Sequence, residues 1–199
     1  MKLLIATHNK NKYNEFNRLL TPAQIETISL NDLQITNEYK ENYNSFLDNA
    51  IGKAYYYSQF TELITISDDS GLIIPILNGF PGIQSSRYGK ESMSQSEKNK
   101  LIIEMINDHK GWQRRAYFVC ALAAIQNKKI LFVTEERVKG IIATEEKGDY
   151  GFGYDPIFLF LDKGKTFAEM QPSEKDMYSH RGKAIQNLIE YLKSLPDEK

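Results

Sequence analysis

The sequence predicts an α/β protein, and a few local patterns carry that prediction. Lys2 to Ala6 is a short apolar run followed by a polar loop and then apolar residues at helical spacing, the order strand, loop, helix. Arg114 to Gln126 and Lys129 to Ala143 are two long strand-like runs that meet near Asn127, as antiparallel neighbours do. Ser179 to Leu195 places Ala184, Leu188, Ile189 and Leu192 on one face of a closing helix.

The elements follow in order. In the first helix Tyr13, Phe16 and Leu20 recur at helical spacing, Asn9 or Asn11 serves as its cap, and Pro22 lies just past its end. Thr27 to Leu33 holds a second strand. Glu38 to Asn44 is a polar loop dotted with aromatics. Ser45 caps a helix that turns Phe46, Ala50, Ala54 and Tyr57 inward. The stretch ISDDSGLIIP then sets Leu63–Ile66 against Leu72–Ile74, which reads as a strand pair joined through Asp68 and Asp69, with Gly71 permitting a tight turn. Asn78 to Tyr88 is a Gly/Pro/Ser-rich loop, and Ser94 to Asn107 is a helix. Ile142 to Pro156 contains a loop with glycines at 148, 151 and 153, and Ile157 to Leu161 is a short strand. No linker marks a second domain, so residues 1–199 read as one domain.

Bulk properties narrow the function classes. With 26% charged residues and a net charge of −1, no global basic field draws the chain to nucleic acid or anionic membrane. The lone Cys120 sits in an apolar run, so neither an internal disulfide nor a cysteine zinc cluster is available, and a cytoplasmic location is expected. No stretch approaches the roughly 20 apolar residues of a membrane helix. Familiar motifs fail in turn. Gly89-Lys90 has Gln84 where a P-loop needs glycine, and Gly151-Phe152-Gly153 meets Pro156 where a dinucleotide fingerprint needs its third glycine. His8, His109 and His180 form no H-E-x-x-H, and no serine lies in G-x-S-x-G.

What remains is a set of constellations, each with a bland alternative. Thr7, His8, Asn9, Lys10, Asn11 and Lys12 lie between a strand and a helix, where N–H groups and lysines suit phosphate or simply form a capping loop. Asn49 and Lys53 share a helix face, with Glu41 upstream. Asp68-Asp69-Ser70-Gly71 offers two carboxylates for Mg²⁺ or for taking a proton from water, or else a turn. Phe152, Gly153, Tyr154 and Asp155 suit a planar base or a packed loop. Lys175, His180 and Arg181 offer donors near the start of the last helix. Together they describe a site for a Mg-nucleoside polyphosphate.

These blocks also resemble a known family. T-x-N-x-x-K at Thr7–Lys12, SFLDNAIGKA at Ser45–Ala54, SDDSGL at Ser67–Leu72, FPGIQSSRY at Phe80–Tyr88, FGYDPIF at Phe152–Phe158 and SHRGKA at Ser179–Ala184 are similar, in order, to the inosine triphosphate pyrophosphatase (Ham1-like) family. The resemblance implies an elongated mixed β-sheet flanked by helices, in two lobes with a central active-site cleft. It implies a homodimer, a Mg²⁺ cofactor and hydrolysis of ITP, dITP or XTP to monophosphate and pyrophosphate. It makes Asp69 the general base and a metal ligand, Asp68 its support, Glu41 a metal-associated acid and Lys53 an active-site cation. It gives Thr7 to Lys12 and Ser70 to the triphosphate, and Phe152, Gly153, Tyr154, Asp155, Lys175, His180 and Arg181 to the nucleobase. His8, Lys10 and Asn11 depart from the family's usual small or glycine residues, and Asp48 stands where Glu is common. Rival readings are a Maf-like pyrophosphatase acting on pyrimidine or modified nucleotides, and a nucleotide-binding regulator without catalysis.

Overall fold

The computed structural model describes residues 1–85, 88, 89 and 92–195. Ser86 and Arg87 of the FPGIQSSRY block therefore lie outside the described residues, as does Lys90. Seven strands form one sheet: β1 (Lys2–Ile5), β2 (Glu26–Ser29), β3 (Ile64–Ile73), β4 (Arg115–Gln126), β5 (Lys129–Ile142), β6 (Phe158–Phe160) and β7 (Lys165–Thr166). Their spatial order is β2-β1-β3-β4-β5-β6-β7. β1 pairs in parallel with β2 and β3, while β5/β6 and β6/β7 are antiparallel, so the sheet is mixed. The helices are α1 (Lys10–Leu20), α2 (Phe46–Tyr57), α3 (Gln95–Met105), α4 (Pro172–Tyr178) and α5 (His180–Ser194). None of the described helices is long and apolar enough to cross a membrane.

Local chemistry sets these boundaries. Asn9 caps α1 by accepting from the N–H groups of Asn11 and Lys12, Ser45 caps α2, and Ser94 with Glu97 forms a capping box on α3. Asn127 and Lys128 both take positive φ, 51° and 63°, which is what a two-residue hairpin turn between β4 and β5 requires. The second strand is shorter than Thr27 to Leu33 suggests, because Asp32 accepts from the backbone and hydroxyl of Ser29 and folds the chain away. The short helix α4 is a piece the sequence reading misses, since seven residues leave too few turns for a period to register.

One expectation is overturned. Ile64 to Ile73 is not a strand pair with a turn at Asp68 to Gly71 but one continuous strand, β3. Its burial pattern is nearly unbroken, so the apolar runs on either side are the two ends of a single central strand rather than two arms of a hairpin.

The chain divides into two compact units. One comprises 1–69, 120–136 and 181–199, and the other 70–119 and 137–180. The first has a core in which Leu3, Ile5, Phe16, Leu20, Ile64 and Ile66 pack with Leu122, Ile185, Leu188 and Leu192. A smaller cluster in the same unit joins Leu4, Leu30, Ile35 and Tyr57. The second unit is built on Leu72, Ile102, Ile106, Phe118, Ile157, Phe158 and Phe167, with Phe118 stacked on Phe167 at 5.8 Å. Within it Arg114 is buried and satisfies four backbone carbonyls, those of Ile106, His109, Ile142 and Ala143.

Gly148 tests the packing of the second unit. It has φ +87°, and a Cβ there would overlap the backbone of Ala168 and Glu169, whereas Gly111 at φ +50° has nothing within 4 Å. Gly148→Ala carries both backbone strain and a backbone clash, together about 2–5 kcal/mol. Gly111→Ala carries only the strain, about 1–2 kcal/mol. Urea denaturation of the two variants is expected to rank them in that order, and equal losses would contradict the packing described.

Candidate active site

The period of a β-strand decides what the adjacent acids do. Neighbouring residues point to opposite faces, so Asp68 and Asp69 meet different hydrogen-bond partners, although the charges of Lys12 and Lys53 reach both. Both lie just beyond the part of β3 paired with β1, whose last partners are Ile5 and Ile66. There the chain leaves β1 for the loop that starts α1, and the carboxyl end of a parallel strand is a usual place for a ligand in an α/β sheet.

Asp68 faces α1 and α5. It is fully buried, and its Oδ2 accepts from Arg181 Nη2 at 2.8 Å and Nε at 3.2 Å, with Lys12 Nζ at 3.1 Å. Arg181 Nη1 reaches on to Glu15 Oε2 at 2.5 Å. Lys12 and Glu15 stand three apart on α1 and so share a helix face. Burial alone would raise the Asp68 pKa, but the charges of Lys12, Arg181 and Lys53 outweigh it and hold the carboxyl well below the usual carboxylate range. Burial likewise works against the Arg181 charge, and Asp68 with Glu15 overcomes it. Asp68 is thus a permanent anion. Its Oδ1 is buried with no hydrogen-bond partner among the described residues.

Asp69 faces α2. Asn49, wholly buried on that helix, donates from Nδ2 to Asp69 Oδ2 at 3.0 Å. On the same face Ser67 donates to the Ala50 carbonyl, as the strand period requires. Burial first and the charge of Glu41 second push the Asp69 pKa up to about 6, against the opposing pull of Lys12 and Lys53. Lys53 is 9% exposed and bonds Glu41 Oε1 at 2.7 Å, so it is held inside rather than snorkelling to solvent. Burial opposes its charge, yet Asp68, Glu41 and Asp69 together raise its pKa.

The Thr7 to Lys12 segment is more committed than its sequence suggests. Asn9 spends its side chain on the helix cap, Thr7 Oγ1 accepts from the Asn9 N–H, and His8 Nε2 lies 3.1 Å from the Asn37 carbonyl and 3.2 Å from the Tyr57 hydroxyl. Lys10 and Asn11 are exposed and Lys12 turns to Asp68. Ser70 follows Asp69 along β3 and is half-buried.

The other predicted group gathers in the second unit. Lys175 Nζ bonds Asp155 Oδ2 at 2.6 Å, both nearly fully buried, and the same oxygen accepts from the Phe152 N–H at 2.8 Å. Lys175 also stands 5.0 Å from the centre of the Phe152 ring. Gly153 takes φ +64° in the same loop, and its carbonyl accepts from Asn99 at 3.2 Å. Tyr154 donates to the Ser85 carbonyl, and the His180 ring stacks on Phe118 at 4.6 Å and 9°. Arg181, expected with this group, turns instead to Asp68 and Glu15. Sequence reasoning missed Glu15 and Phe118. The only trace of Glu15 was its spacing from Lys12, and Phe118 looked like any core aromatic. Cys120 behaves as a buried small residue whose thiol burial pushes upward in pKa, with Sγ 4.0 Å from Asp68.

The donor set suits a hard divalent cation. Glu41 is close enough to Asp69 to raise the cost of ionising it, so the two carboxylates could share one cation. No group of three or more His, Cys, Asp or Glu among the described residues forms a full cage. A site for Mg²⁺ would therefore rest on Asp69 and Glu41, since that ion is commonly held by one or two carboxylates together with water and substrate phosphates.

Known proteins are similar to this chain over nearly its whole length. A profile of the Ham1 family matches residues 3–191. The chain is 44% identical over 189 residues to the dITP/XTP pyrophosphatase of Methylacidiphilum infernorum (isolate V4), covering 94% of this chain and 92% of that protein. It is 41% identical over 192 residues to the dITP/XTP pyrophosphatase of Bacillus subtilis (strain 168), covering 96% of each. Its fold is similar to the solved structure of a HAM1 protein from Coxiella burnetii, with TM-score 0.87 and 33% identity over 98% of this chain and 100% of that one.

The ion cluster yields a stability test. Arg181→Met leaves Asp68 and Glu15 facing each other's surroundings without their shared cation, and removing one partner from a buried pair costs about 3–5 kcal/mol. Urea denaturation is expected to show that loss, with Glu15→Gln costing less because Asp68 keeps Arg181. A loss under about 1 kcal/mol for Arg181→Met, the level of an exposed pair, would contradict the cluster.

Proposed function

The chain belongs to the Ham1 family, and from that premise we propose that it hydrolyses dITP, ITP and XTP to the nucleoside monophosphate and pyrophosphate. The observation that carries the mechanism is the pair of adjacent carboxylates held at different ionisation, Asp68 well below the usual range and Asp69 pushed up to about 6. Two titratable groups driven apart by their environments mark an assignment of roles.

Asp69 is the base. In the metal-free protein a carboxylate near 6 accepts a proton more readily than one at 3.8 and is still largely ionised at neutral pH. It takes a proton from water as that oxygen bonds the α-phosphorus, and the bond from the α-phosphorus to the bridging oxygen of the leaving pyrophosphate breaks. Asp68 does not exchange protons; it keeps Lys12 and Arg181 in place. Lys12 and Lys53 supply positive charge for the phosphates, with Thr7, His8, Asn9, Lys10, Asn11 and Ser70 assigned to the same polyphosphate. Mg²⁺, held by Asp69 and Glu41, would neutralise charge on the phosphate oxygens.

Phe152, Gly153, Tyr154, Asp155, Lys175 and His180 are assigned to the base, while Arg181 is held by Asp68 and Glu15. A donor such as His180 pairs with the 6-keto oxygen of hypoxanthine or xanthine and faces the adenine amino group unmatched, a difference worth large factors in selectivity. The same reading takes residues 1–199 as one domain, its two units threaded by β3, β4 and β5, and takes the protein as a cytoplasmic homodimer.

A screen of nucleoside triphosphates for pyrophosphate release tests the substrate. dITP and XTP are expected to turn over at least about tenfold faster than dTTP or UTP; equal rates would favour a Maf-like specificity. Excess chelator is expected to stop release and added Mg²⁺ to restore it. Asp69→Asn is expected to lower kcat by about 10²–10⁴ while nucleotide binding persists, and near-normal turnover in that variant would remove Asp69 from the base role.

A further inference from the structure

Glu41 turns to Lys53, while its neighbours Tyr39 and Tyr43 flank a space that the proposed reaction does not use. This is a cavity of about 370 Å³ in the first unit, walled by Tyr39, Tyr43, Tyr55 and Tyr56 with Asp48 and Gly52. Gly52 lets the Tyr39 hydroxyl and the Tyr43 ring lie close against α2 beside this space, since a Cβ there would overlap both. Tyr39 and Tyr56 pack with ring centres 5.6 Å apart, and Tyr43 and Tyr55 stay about half exposed, at 51% and 42%.

The lining has a definite electrostatic character. Neither lysine nor arginine is among the lining residues, and Asp48, whose Oδ2 accepts from the Ser45 hydroxyl, adds a carboxylate to four aromatic rings. Aromatic faces are negative, so such a cavity attracts an organic cation and disfavours phosphate or carboxylate. A hydrated metal ion is a poorer fit, because hard cations require several oxygen ligands and a single carboxylate is offered.

The cavity is also wired to the acid pair. Asn49 Oδ1 accepts from the Tyr43 N–H at 3.0 Å, and its Nδ2 donates to the Tyr43 carbonyl at 3.3 Å and to Asp69 Oδ2 at 3.0 Å. One buried amide therefore holds the main chain of a wall residue and the carboxylate assigned as base. We propose that this cavity binds a small organic cation of the quaternary-ammonium class and that its occupancy alters turnover through Tyr43, Asn49 and Asp69. The binding half is independent of the reaction above; the coupling half rests on it.

Tetramethylammonium titrated into the nucleotide-free protein, followed by NMR of the tyrosine rings, tests binding. Saturable shifts are expected, and Tyr55→Ala or Asp48→Asn, both away from the acid pair, are expected to weaken affinity about tenfold. dITP turnover is then compared in tetramethylammonium chloride and in equal sodium chloride. A change on the order of fivefold is expected in the wild type and none in Tyr55→Ala. Absence of saturable binding, unchanged affinity in both variants, or equal rates in the two salts would each overturn the proposal. If the wild type hydrolysed none of the nucleotides, the function would fall while the binding result stood on its own.

Discussion

The buried ion cluster around Asp68 is the constraint on which the candidate site depends. A carboxylate with no exposure is tolerable only with its charge matched, and here Arg181 and Lys12 match it from two helices. The same contacts fix the start of α1, the start of α5 and the middle of β3 against one another. Glu15 then balances the second charge of the group, since two cations around one anion would leave a net positive charge in the interior.

Given that cluster, the strand period does the rest. Asp69 must face the other way, towards α2, where burial and Glu41 oppose its ionisation and Asn49 and Lys53 partly restore it. Two residues of one type, joined by one peptide bond, thus acquire different chemistry from their surroundings alone. A strand suits this purpose better than a turn. A rigid central strand holds both carboxylates while the flanking helices, α1, α2 and α5, bring the partners.

Much of the fold was legible from period and punctuation. The capped starts of α1 and α2, the hairpin at Asn127 and the inward face of α5 all follow from local rules that the structure obeys. β3 was misread because Asp, Ser and Gly are turn formers, and only tertiary partners make a strand with two acids affordable at its centre. The members of the site were largely visible as residue types in ordered blocks. Their pairing was not. That Arg181 would reach Glu15 across 166 positions, or that His180 would lie flat on Phe118, is a property of packing and leaves no mark at short range.

The central claim is that Asp68 and Asp69 differ in ionisation because they face different sides of one strand. Carbon-13 NMR of the side-chain carboxyls in the metal-free protein, assigned with Asp68→Asn and Asp69→Asn, measures this directly. The account predicts one carboxyl titrating near 6, assigned to Asp69, and one that stays ionised well below the ordinary value of 3.8, assigned to Asp68. Two carboxyls titrating together near 4, or the reverse assignment, would contradict it.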